Sequence, residues 1–309
     1  MNILFTNSGR RTYILDYALR ISNINIHVSE TDKYAPVTFY KNVKKHFTTK
    51  VNNNHKKYLS QILKIVIKEK IQKLIPLSDH DLLILSKNKE LFLKKGCEII
   101  ISNFEDIERC INKKNMYNHC IKHKIKTPKS FFSKKEILKF SKNLIKKKIT
   151  GSGGDQMEFL KKYSDIKKID FDNFFVQNKI SGTEYGVDIF SIEKKNMYRV
   201  CVKKKILMRA GETDRSMITI DRKIEDFCLK IKKYFKPYGN LDCDVIKDKK
   251  GKIYLIDLNP RFGGGYPASH ESGFKFLNYL LKRNIKLPIK PTKKVVSKGI
   301  SIFSKSSKK

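Results

Sequence analysis

The sequence lacks the features that mark membrane proteins and thiol- or imidazole-based metal sites. No apolar run in its 309 residues approaches the ~20 residues that a bilayer-spanning helix needs. The six cysteines contain no CxxC pair, and the seven histidines contain no HExxH motif. The chain starts with an apolar segment followed by Arg10 and Arg11, the reverse of a secretory signal. We therefore expect a cytoplasmic protein with no membrane segment, whose cysteines are mostly reduced core residues.

Acidic residues are scarce, because Asp and Glu number 30 against 67 Lys and Arg, which gives a net charge of +37. Only ten of the basic residues are arginine, and the lysines are spread along the whole chain. A dedicated nucleic-acid surface concentrates its charge and uses arginine for bidentate phosphate contacts. Since Lys, Ile and Asn are enriched together, we favour a compositional origin and predict no specific nucleic-acid partner. The positive field could still help to attract an anionic substrate.

The first hundred residues alternate strand-like and helix-like segments. Residues 2–6 form an apolar strand, an amphipathic helix follows the turn at residues 7–9, and residues 24–32 form the next strand. Because right-handed crossovers join such units, we predict a parallel sheet. The turn has one glycine where a dinucleotide-binding loop needs three, so we reject a dinucleotide site. Asp79 and Asp81 follow a further strand, and they are either ligand groups or caps of the next helix.

Beyond residue 102 the pattern changes from helix to β structure. A helical stretch over residues 103–124 is followed by two lysine-rich segments that bracket a glycine-rich loop at 151–155. Glycines let backbone N–H groups approach an anion, which the nearby Lys147 would neutralise. After Phe175 the chain is mostly strands, with one helix over residues 222–235 and a final helix near residues 274–283. A β-hairpin around Lys250 and Gly251 follows the first of these helices.

The hairpin carries polar residues at the two-residue spacing of a strand face. Asp242 and Asp244 share one face of the first strand, and Asp257 and Asn259 share a face of the second. Carboxylates and a carboxamide on adjacent strands form an oxygen-only site suited to Mg²⁺, which typically bridges carboxylates and phosphates. Arg261 adds a cation near the same space, of the kind that stabilises a transferring phosphoryl group.

These residues belong to a string, Asp-Leu-Asn-Pro-Arg-Phe-Gly-Gly-Gly-Tyr-Pro at 257–267, that resembles a segment of ATP-grasp enzymes akin to carbamoyl-phosphate synthase large chains. Four other segments resemble that family in order and spacing. They are Pro76 to Asp79, Asn112-Lys113 with Ile125 to Pro128, Val176 to Tyr185, and Arg209 to Glu212. The resemblance covers nearly the whole chain.

The resemblance implies an α/β and α+β fold, in which a half-size parallel-sheet domain precedes a two-lobed ATP-grasp fold. We expect four parts. They are a Rossmann-like domain at 1–110, a small lobe with a glycine lid at 111–175, a large lobe with the Mg²⁺ and ATP site at 176–303, and a tail at 304–309.

The resemblance also implies a role for each matched residue. At the ATP phosphates, the residues would be Lys113 and Lys147, covered by the lid residues Gly151, Ser152, Gly153 and Gly154. At the adenine they would be Gln177 and the backbone of Lys179 and Ile180. Glu184 would bind the ribose. Metal ligands for Mg²⁺, or Mn²⁺ in its place, would be Asp244, Asp257 and Asn259. Catalytic residues would be Arg209, Arg261 and Asp257. The chain departs from the family at Asp244, where Gln is common, at Lys148, which replaces Pro, and at Asn178 and Lys179, which replace Glu-Tyr.

The implied activity is an ATP-dependent carboxylate–amine ligase that acts through an acyl phosphate on small molecules, in specialised metabolism or surface polysaccharide synthesis. A kinase that phosphorylates a small acceptor and stops there is the alternative, because both reactions use the same residues. A nucleic-acid-binding or inactive scaffold is disfavoured by the intact acidic and arginine residues. The chain is too short to contain the duplicated unit of a carbamoyl-phosphate synthase, so carbamoyl phosphate is not the expected product. A homodimer is compatible with the sequence.

Overall fold

The computed structural model describes residues 1–137, 143–151, 157–192, 196–282 and 285–304. The chain begins with a five-stranded sheet in the order β3-β2-β1-β4-β5, in which every pairing is parallel. Its strands are β1 Asn2–Thr6, β2 Asn25–Glu30, β3 Lys44–Phe47, β4 Lys73–Pro76 and β5 Glu98–Ile99. Its helices are α1 Thr12–Leu19, α2 His55–Lys68, α3 Asp79–Lys87 and α4 Lys89–Leu93. The predicted parallel-sheet domain is confirmed.

Apolar side chains on both faces hold this sheet between its helices. Phe5 packs in one cluster with Ile14 of α1, while Leu4 packs in another with Tyr58 of α2. Because successive residues of a strand point to opposite faces, an unbroken apolar run such as β1 is suited to a sheet covered on both sides. The sequence prediction missed β3, an edge strand of largely exposed polar residues. The sequence pattern over residues 80–94 predicts one helix, which the structure separates at Asn88 into α3 and α4.

A second sheet has four antiparallel strands in the order β6-β9-β7-β8. Two helices lead into it, α5 Phe104–Ile111 and α6 Lys113–Lys122, where a single helical stretch was predicted. They are separated at Asn112, whose side chain accepts hydrogen bonds from the N–H groups of the α6 first turn. The remaining elements are β6 Ser130–Phe131, β7 Leu144–Lys148, β8 Glu158–Phe159, α7 Tyr163–Ile166 and β9 Phe174–Asn178.

The third sheet is antiparallel, with the order β14-β13-β10-β11-β12-β15. Its strands are β10 Gly182–Ile192, β11 Met197–Arg209, β12 Glu212–Thr219, β13 Gly239–Asp248, β14 Ile253–Asn259 and β15 Val295–Ser297. Its helices are α8 Arg222–Phe235, α9 Tyr266–Glu271 and α10 Phe276–Leu281. The strand β15 and the helix α9 were not predicted. The fold class expected from the resemblance is confirmed, whereas the boundaries of the four expected parts stay a prediction.

The two faces of this six-stranded sheet differ in chemistry. One face presents Val187, Ile189 and Cys243, which pack against α8 in a continuous apolar core. Alternation along the strands therefore turns Asp188 and Asp242 to the opposite face. Part of that face is covered by α10, where Phe276 stacks on Phe190 with ring centroids 4.6 Å apart. The polar part of it lies next to the residues singled out by the sequence.

None of the helices in the described part of the chain combines the length and apolar composition that crossing a bilayer requires. All six cysteines are buried and form no disulfide, as expected for core residues.

The glycine-rich turn after β14 passes directly over acidic side chains. A Cβ at Gly263 would lie 2.1 Å from the Asp242 carboxylate, and a Cβ at Gly264 would lie 2.7 Å from the Glu212 side chain. Such distances are far inside van der Waals contact, so these two positions require glycine for space. The turn therefore depends on its glycines for close approach to the polar face.

The Glu30 carboxylate contacts the loop between β1 and α1, at the carboxyl edge of the parallel sheet. Glu30 accepts a hydrogen bond from the Gly9 N–H at 3.0 Å. Burial raises the pKa of Glu30 to about 7, against a partly opposing effect of the Gly9 and Ser8 N–H groups. The N–H that a phosphate would use in a dinucleotide-binding loop is thus already engaged by an acidic side chain.

We predict that Gly263→Ala destabilises the protein by about 1–3 kcal/mol, because the added methyl group must push Asp242 or the turn aside. Thermal unfolding monitored by circular dichroism would show a lower Tm for this variant. Gly299→Ala is the matched control, since a Cβ there meets nothing within 4 Å. An unchanged Tm for Gly263→Ala would contradict this account of the turn.

Replacement of Glu30 by Gln should make the stability less sensitive to pH. The folded-state pKa of Glu30 is about 7 and the unfolded value is 4.5, so the folded chain holds a proton that the unfolded chain releases in this window. As pH rises from about 4.5 to about 7, the wild type should therefore lose stability relative to Glu30→Gln, by on the order of 3 kcal/mol at most. Urea unfolding at several pH values measures this difference. Glu108→Gln, on the exposed side of α5, is the control for removing one negative charge. A difference that does not change with pH would refute the assignment.

Candidate active site

The strand pairing of β13 and β14 brings the predicted acidic residues together. Asp244 lies opposite Asp257, and Asp242 lies opposite Asn259, with a β-bulge beyond Asp244. Directly opposed residues of antiparallel strands have Cβ atoms about 4.5–5.5 Å apart. Asp244, Asp257 and Asn259 therefore form one group of oxygen atoms on neighbouring strands.

Lysine side chains face these carboxylates. Lys113, the first residue of α6, donates a hydrogen bond to Asp257 Oδ1. Lys205 on β11 forms an ion pair with Asp244, with Nζ and Oδ1 2.8 Å apart. Lys147 on β7 is half-buried, and desolvation lowers its pKa, although the charge of Asp257 partly offsets this effect. Three ammonium groups and two carboxylates thus meet between the second and third sheets.

This donor set fits a divalent cation of the magnesium type. In the structure both carboxylates already point at cationic groups, the ammonium groups of Lys113 and Lys205. Across the described ranges no group of three or more His, Cys, Asp or Glu side chains is arranged to hold a metal alone. Two carboxylates and one amide leave coordination positions open, and Mg²⁺ commonly fills such positions with water and substrate phosphates.

The segment between β9 and β10 joins the second sheet to the third. Gln177 is buried, donates to Ser130 Oγ at 2.9 Å and accepts from Lys147 Nζ at 3.3 Å. The Lys179 N–H donates to the carbonyl oxygen of Asn143 at 2.7 Å, so its contact with an adenine would have to use another atom. Glu184 lies opposite Ile246 in the pairing of β10 with β13, and its charge acts on Lys147. The predicted adenine and ribose residues therefore adjoin the lysine and carboxylate group.

Arg261 is buried directly behind this group. Its Nε and Nη2 donate to the two oxygens of Asp79, both at 2.8 Å, and Nη2 also lies 3.3 Å from Asn259 Oδ1. Burial alone would lower the pKa of Arg261, but the carboxylate of Asp79 outweighs it and the pKa is raised. Asp79 lies in the first turn of α3, which Ser78 caps, so it serves a neighbouring side chain rather than the helix N-cap. Asp81 is buried and accepts hydrogen bonds from Thr6, Asn7 and Tyr58.

Arg209 lies further from the carboxylates, at the end of β11. It is half-exposed and its Nη2 is 3.4 Å from Asp214 Oδ2. The turn that follows uses left-handed backbone at Ala210 and Gly211, with φ values of 48° and 77°. No contact found in the described residues joins Arg209 to Asp257 or Arg261. Its role at the phosphates stays a prediction.

The lid prediction lies mostly outside the described residues, since it falls on Ser152, Gly153 and Gly154. Gly151 is described, and it has a φ of 125°, a backbone conformation that favours glycine.

Sequence reasoning missed two lysines on the polar face of β11. Lys203 and Asp188 form a fully buried ion pair at 2.5 Å, and Ser269 and Asn240 also donate to Asp188. Lys205 contacts Asp244, and both lysines pass close to Gly186, which lacks a side chain in their way. Their two-residue spacing on a strand was the available signal, but it was concealed by the lysine-rich background.

Two family models match the sequence. Residues 110–265 match the ATP-grasp domain, and residues 3–100 match the PylC-like N-terminal domain. Among curated proteins, no sequence match was found.

Solved structures share the architecture at low sequence identity. An L-amino acid ligase from Bacillus licheniformis has a TM-score of 0.73 at 15% identity, over 91% of this chain and 73% of that one. A biotin carboxylase from Campylobacter jejuni in complex with β,γ-ATP has a TM-score of 0.70 at 14% identity, over 92% and 72%. The biotin carboxylase domain of a 2-oxoglutarate carboxylase from Hydrogenobacter thermophilus, solved with MgADP, ADP and bicarbonate, has a TM-score of 0.70 at 12% identity, over 92% and 70%.

The ATP-grasp model covers just over half of the chain, and the architecture agrees along almost all of it. The lysines, carboxylates and glycine-rich turn described above lie within or beside the matched range. This chain is therefore an enzyme of the ATP-grasp family, with a PylC-like amino-terminal domain.

Proposed function

We propose that the chain is an ATP-dependent carboxylate–amine ligase that acts on small molecules through an acyl phosphate. The observation that carries this proposal is the group formed by Asp244, Asp257 and Asn259 with the lysines that face it. Such a group can hold a metal-bound triphosphate while a carboxylate attacks its γ-phosphorus. The L-amino acid ligase among the structural neighbours suggests amino acids as the first substrates to test.

Each part of the site would have a distinct task. Asp244, Asp257 and Asn259 would hold Mg²⁺, which when bound neutralises charge on the nucleotide phosphates. Lys113 and Lys147 would hold the phosphate oxygens, as the family resemblance implies. Their ammonium groups lie near the carboxylates, and a metal on Asp257 would release Lys113 to a phosphate oxygen.

Lys205 joins this set as a further candidate phosphate ligand. It contacts Asp244 through a side chain that is largely buried, and a metal on Asp244 would displace its ammonium group. Lys205 would then be able to bind a phosphate oxygen of the nucleotide. The site would thus offer three ammonium groups to the phosphates in addition to a bound metal.

Three groups would meet the rest of the nucleotide and the reacting phosphate. Gln177 with the 179–180 backbone would adjoin the adenine, and Glu184 the ribose. The loop from Gly151 would cover the phosphates and exclude water from the acyl phosphate. Arg261 would steady the transferring phosphoryl group. An amine would then displace phosphate from the acyl group, which completes the ligation and distinguishes the enzyme from a kinase.

An ADP-release assay tests the ligase assignment. The wild-type chain would be incubated with MgATP and a mixture of the twenty L-amino acids, with and without a panel of small sugar acids. ADP formation that requires both a carboxylate and an amine, together with an amide product in the mass spectrum, is the expected result. ADP formation with a stable phosphorylated acceptor and no amide would instead identify a kinase.

We predict that Asp257→Asn lowers the rate of ADP release by more than about 100-fold, the scale of losing one electrostatic contact to the reacting groups. The neutral amide is a poorer Mg²⁺ ligand and leaves Lys113 without its carboxylate partner. Asp226→Asn, on an exposed position of α8, is the matched control and should retain the wild-type rate. Near-normal turnover by a folded Asp257→Asn variant would rule out the proposed metal site.

A further inference from the structure

An ion pair joins the amino-terminal domain to the candidate active site. Arg261 directly follows Asn259-Pro260 of the third sheet, and Asp79 is the first residue of α3 at the carboxyl edge of the parallel sheet. The pair is bidentate, with Nε–Oδ1 and Nη2–Oδ2 distances of 2.8 Å. The Arg261 side chain is only 4% exposed and that of Asp79 is 21% exposed. This geometry fixes both the position and the plane of the guanidinium group.

The N–H groups of Arg261 are almost all engaged. Nε donates to Asp79, Nη2 donates to Asp79 and Asn259, and Nη1 donates to the Phe262 carbonyl oxygen at 3.2 Å. A guanidinium group has five N–H donors, so one N–H on Nη1 is not used by any of the described residues. Asp79 thereby determines which part of Arg261 remains available to a ligand.

The surroundings of Arg261 show why its orientation needs a partner. Asp242 also lies close enough for its charge to act on Arg261, and Asn259 is a candidate metal ligand. Without Asp79, the Arg261 guanidinium group could rotate toward Asp242 or Asn259. It would then compete with the metal for an oxygen atom or leave the phosphoryl position altogether.

We propose that Asp79 is a positioning residue for phosphoryl transfer, which holds Arg261 with its remaining Nη1 N–H available to the transferring group. The proposal rests on the function proposed above, because it assigns a reaction step to Arg261. Asp79 itself touches no reacting atom. Through this pair, correct docking of the amino-terminal domain becomes a condition for full catalytic activity, because Asp79 comes from one domain and Arg261 from the other.

A purely structural role as a domain contact is the competing explanation, and a second interdomain contact separates the two. Tyr238, which precedes β13, donates its hydroxyl hydrogen to Glu98 of β5, and this contact does not involve Arg261. Tyr238→Phe removes an interdomain hydrogen bond while it leaves the candidate site untouched. If domain contact alone matters, Asp79→Asn and Tyr238→Phe should affect activity to a similar extent.

The test uses a probe that needs no acceptor substrate, MgADP with aluminium fluoride, which mimics a transferring phosphoryl group. For the wild type we expect fluoride to tighten MgADP binding, as measured by titration calorimetry. For Asp79→Asn, the Kd for MgADP alone should stay within about twofold of the wild-type value. The ratio of its Kd values without and with aluminium fluoride should be at least about tenfold smaller than that of the wild type. Tyr238→Phe should retain the wild-type values even if its Tm falls. Asp79→Glu should recover part of the loss, because it restores the carboxylate.

A double-mutant comparison shows whether Asp79 acts through Arg261. Asp79→Asn in an Arg261→Lys background should change the fluoride-dependent tightening by less than about twofold, since the bidentate partner is already gone. Equal losses in both backgrounds, or wild-type tightening by Asp79→Asn, would overturn the positioning role while leaving the ligase proposal intact. A wild-type chain that binds MgADP but shows no tightening at all would contradict both proposals.

Discussion

The register of β13 against β14 is the constraint on which the candidate site depends. It places Asp244 opposite Asp257 and Asp242 opposite Asn259, and no other pairing would do so. A shift by one residue would exchange the two faces of a strand and bury the carboxylates in the apolar core beneath α8. That core, with Val187, Cys243 and Leu258, therefore stabilises the register that the chemistry requires. The register that buries the apolar face is thus the same register that assembles the polar face.

The polar face carries a dense set of charges that would be costly if unpaired. Burial raises the pKa of Asp242. Asp188 is fully buried, and it accepts hydrogen bonds from Lys203, Ser269 and Asn240. Buried ion pairs of this kind contribute little net stability, since desolvation offsets most of the attraction. Their value here is geometric, because they fix lysine and carboxylate side chains beneath the glycine-rich turn. Gly263 approaches Asp242 so closely that the turn and this charged layer form one unit.

Strand alternation and turn chemistry predicted the parallel-sheet domain and the acidic hairpin, whereas the two-lobed fold was implied by the family resemblance. The two-residue spacing at Asp257 and Asn259 survives in the structure because both residues lie on one regular strand. The edge strands β3 and β15 escaped prediction because an edge strand needs little apolar pattern. The interruptions at Asn88 and Asn112 were hidden because helical periodicity continues on both sides.

Interactions between distant segments were beyond the reach of the sequence. Asp79 was left between a helix cap and a ligand group, and its actual partner is Arg261, 182 residues away. Lys205 was assigned to a lysine-rich background, since its contact with Asp244 depends on the order of strands in the sheet. Residue spacing reveals which side chains share a strand face. It does not reveal which face of another element will cover them.

The few arginines of this lysine-rich chain include residues at the junction between the amino-terminal domain and the third sheet. Only ten arginines occur in the chain, and three of them connect the amino-terminal domain to segments of the third sheet. Arg10 donates to the Ala210 carbonyl oxygen at 2.6 Å, Arg11 lies 3.5 Å from Glu212, and Arg261 pairs with Asp79. Lysine supplies charge but not a planar fork, so a drift toward lysine is tolerated where only charge matters. Arginine at this interface therefore indicates positions where orientation matters, and it sets the domain junction apart from the lysine-rich surface.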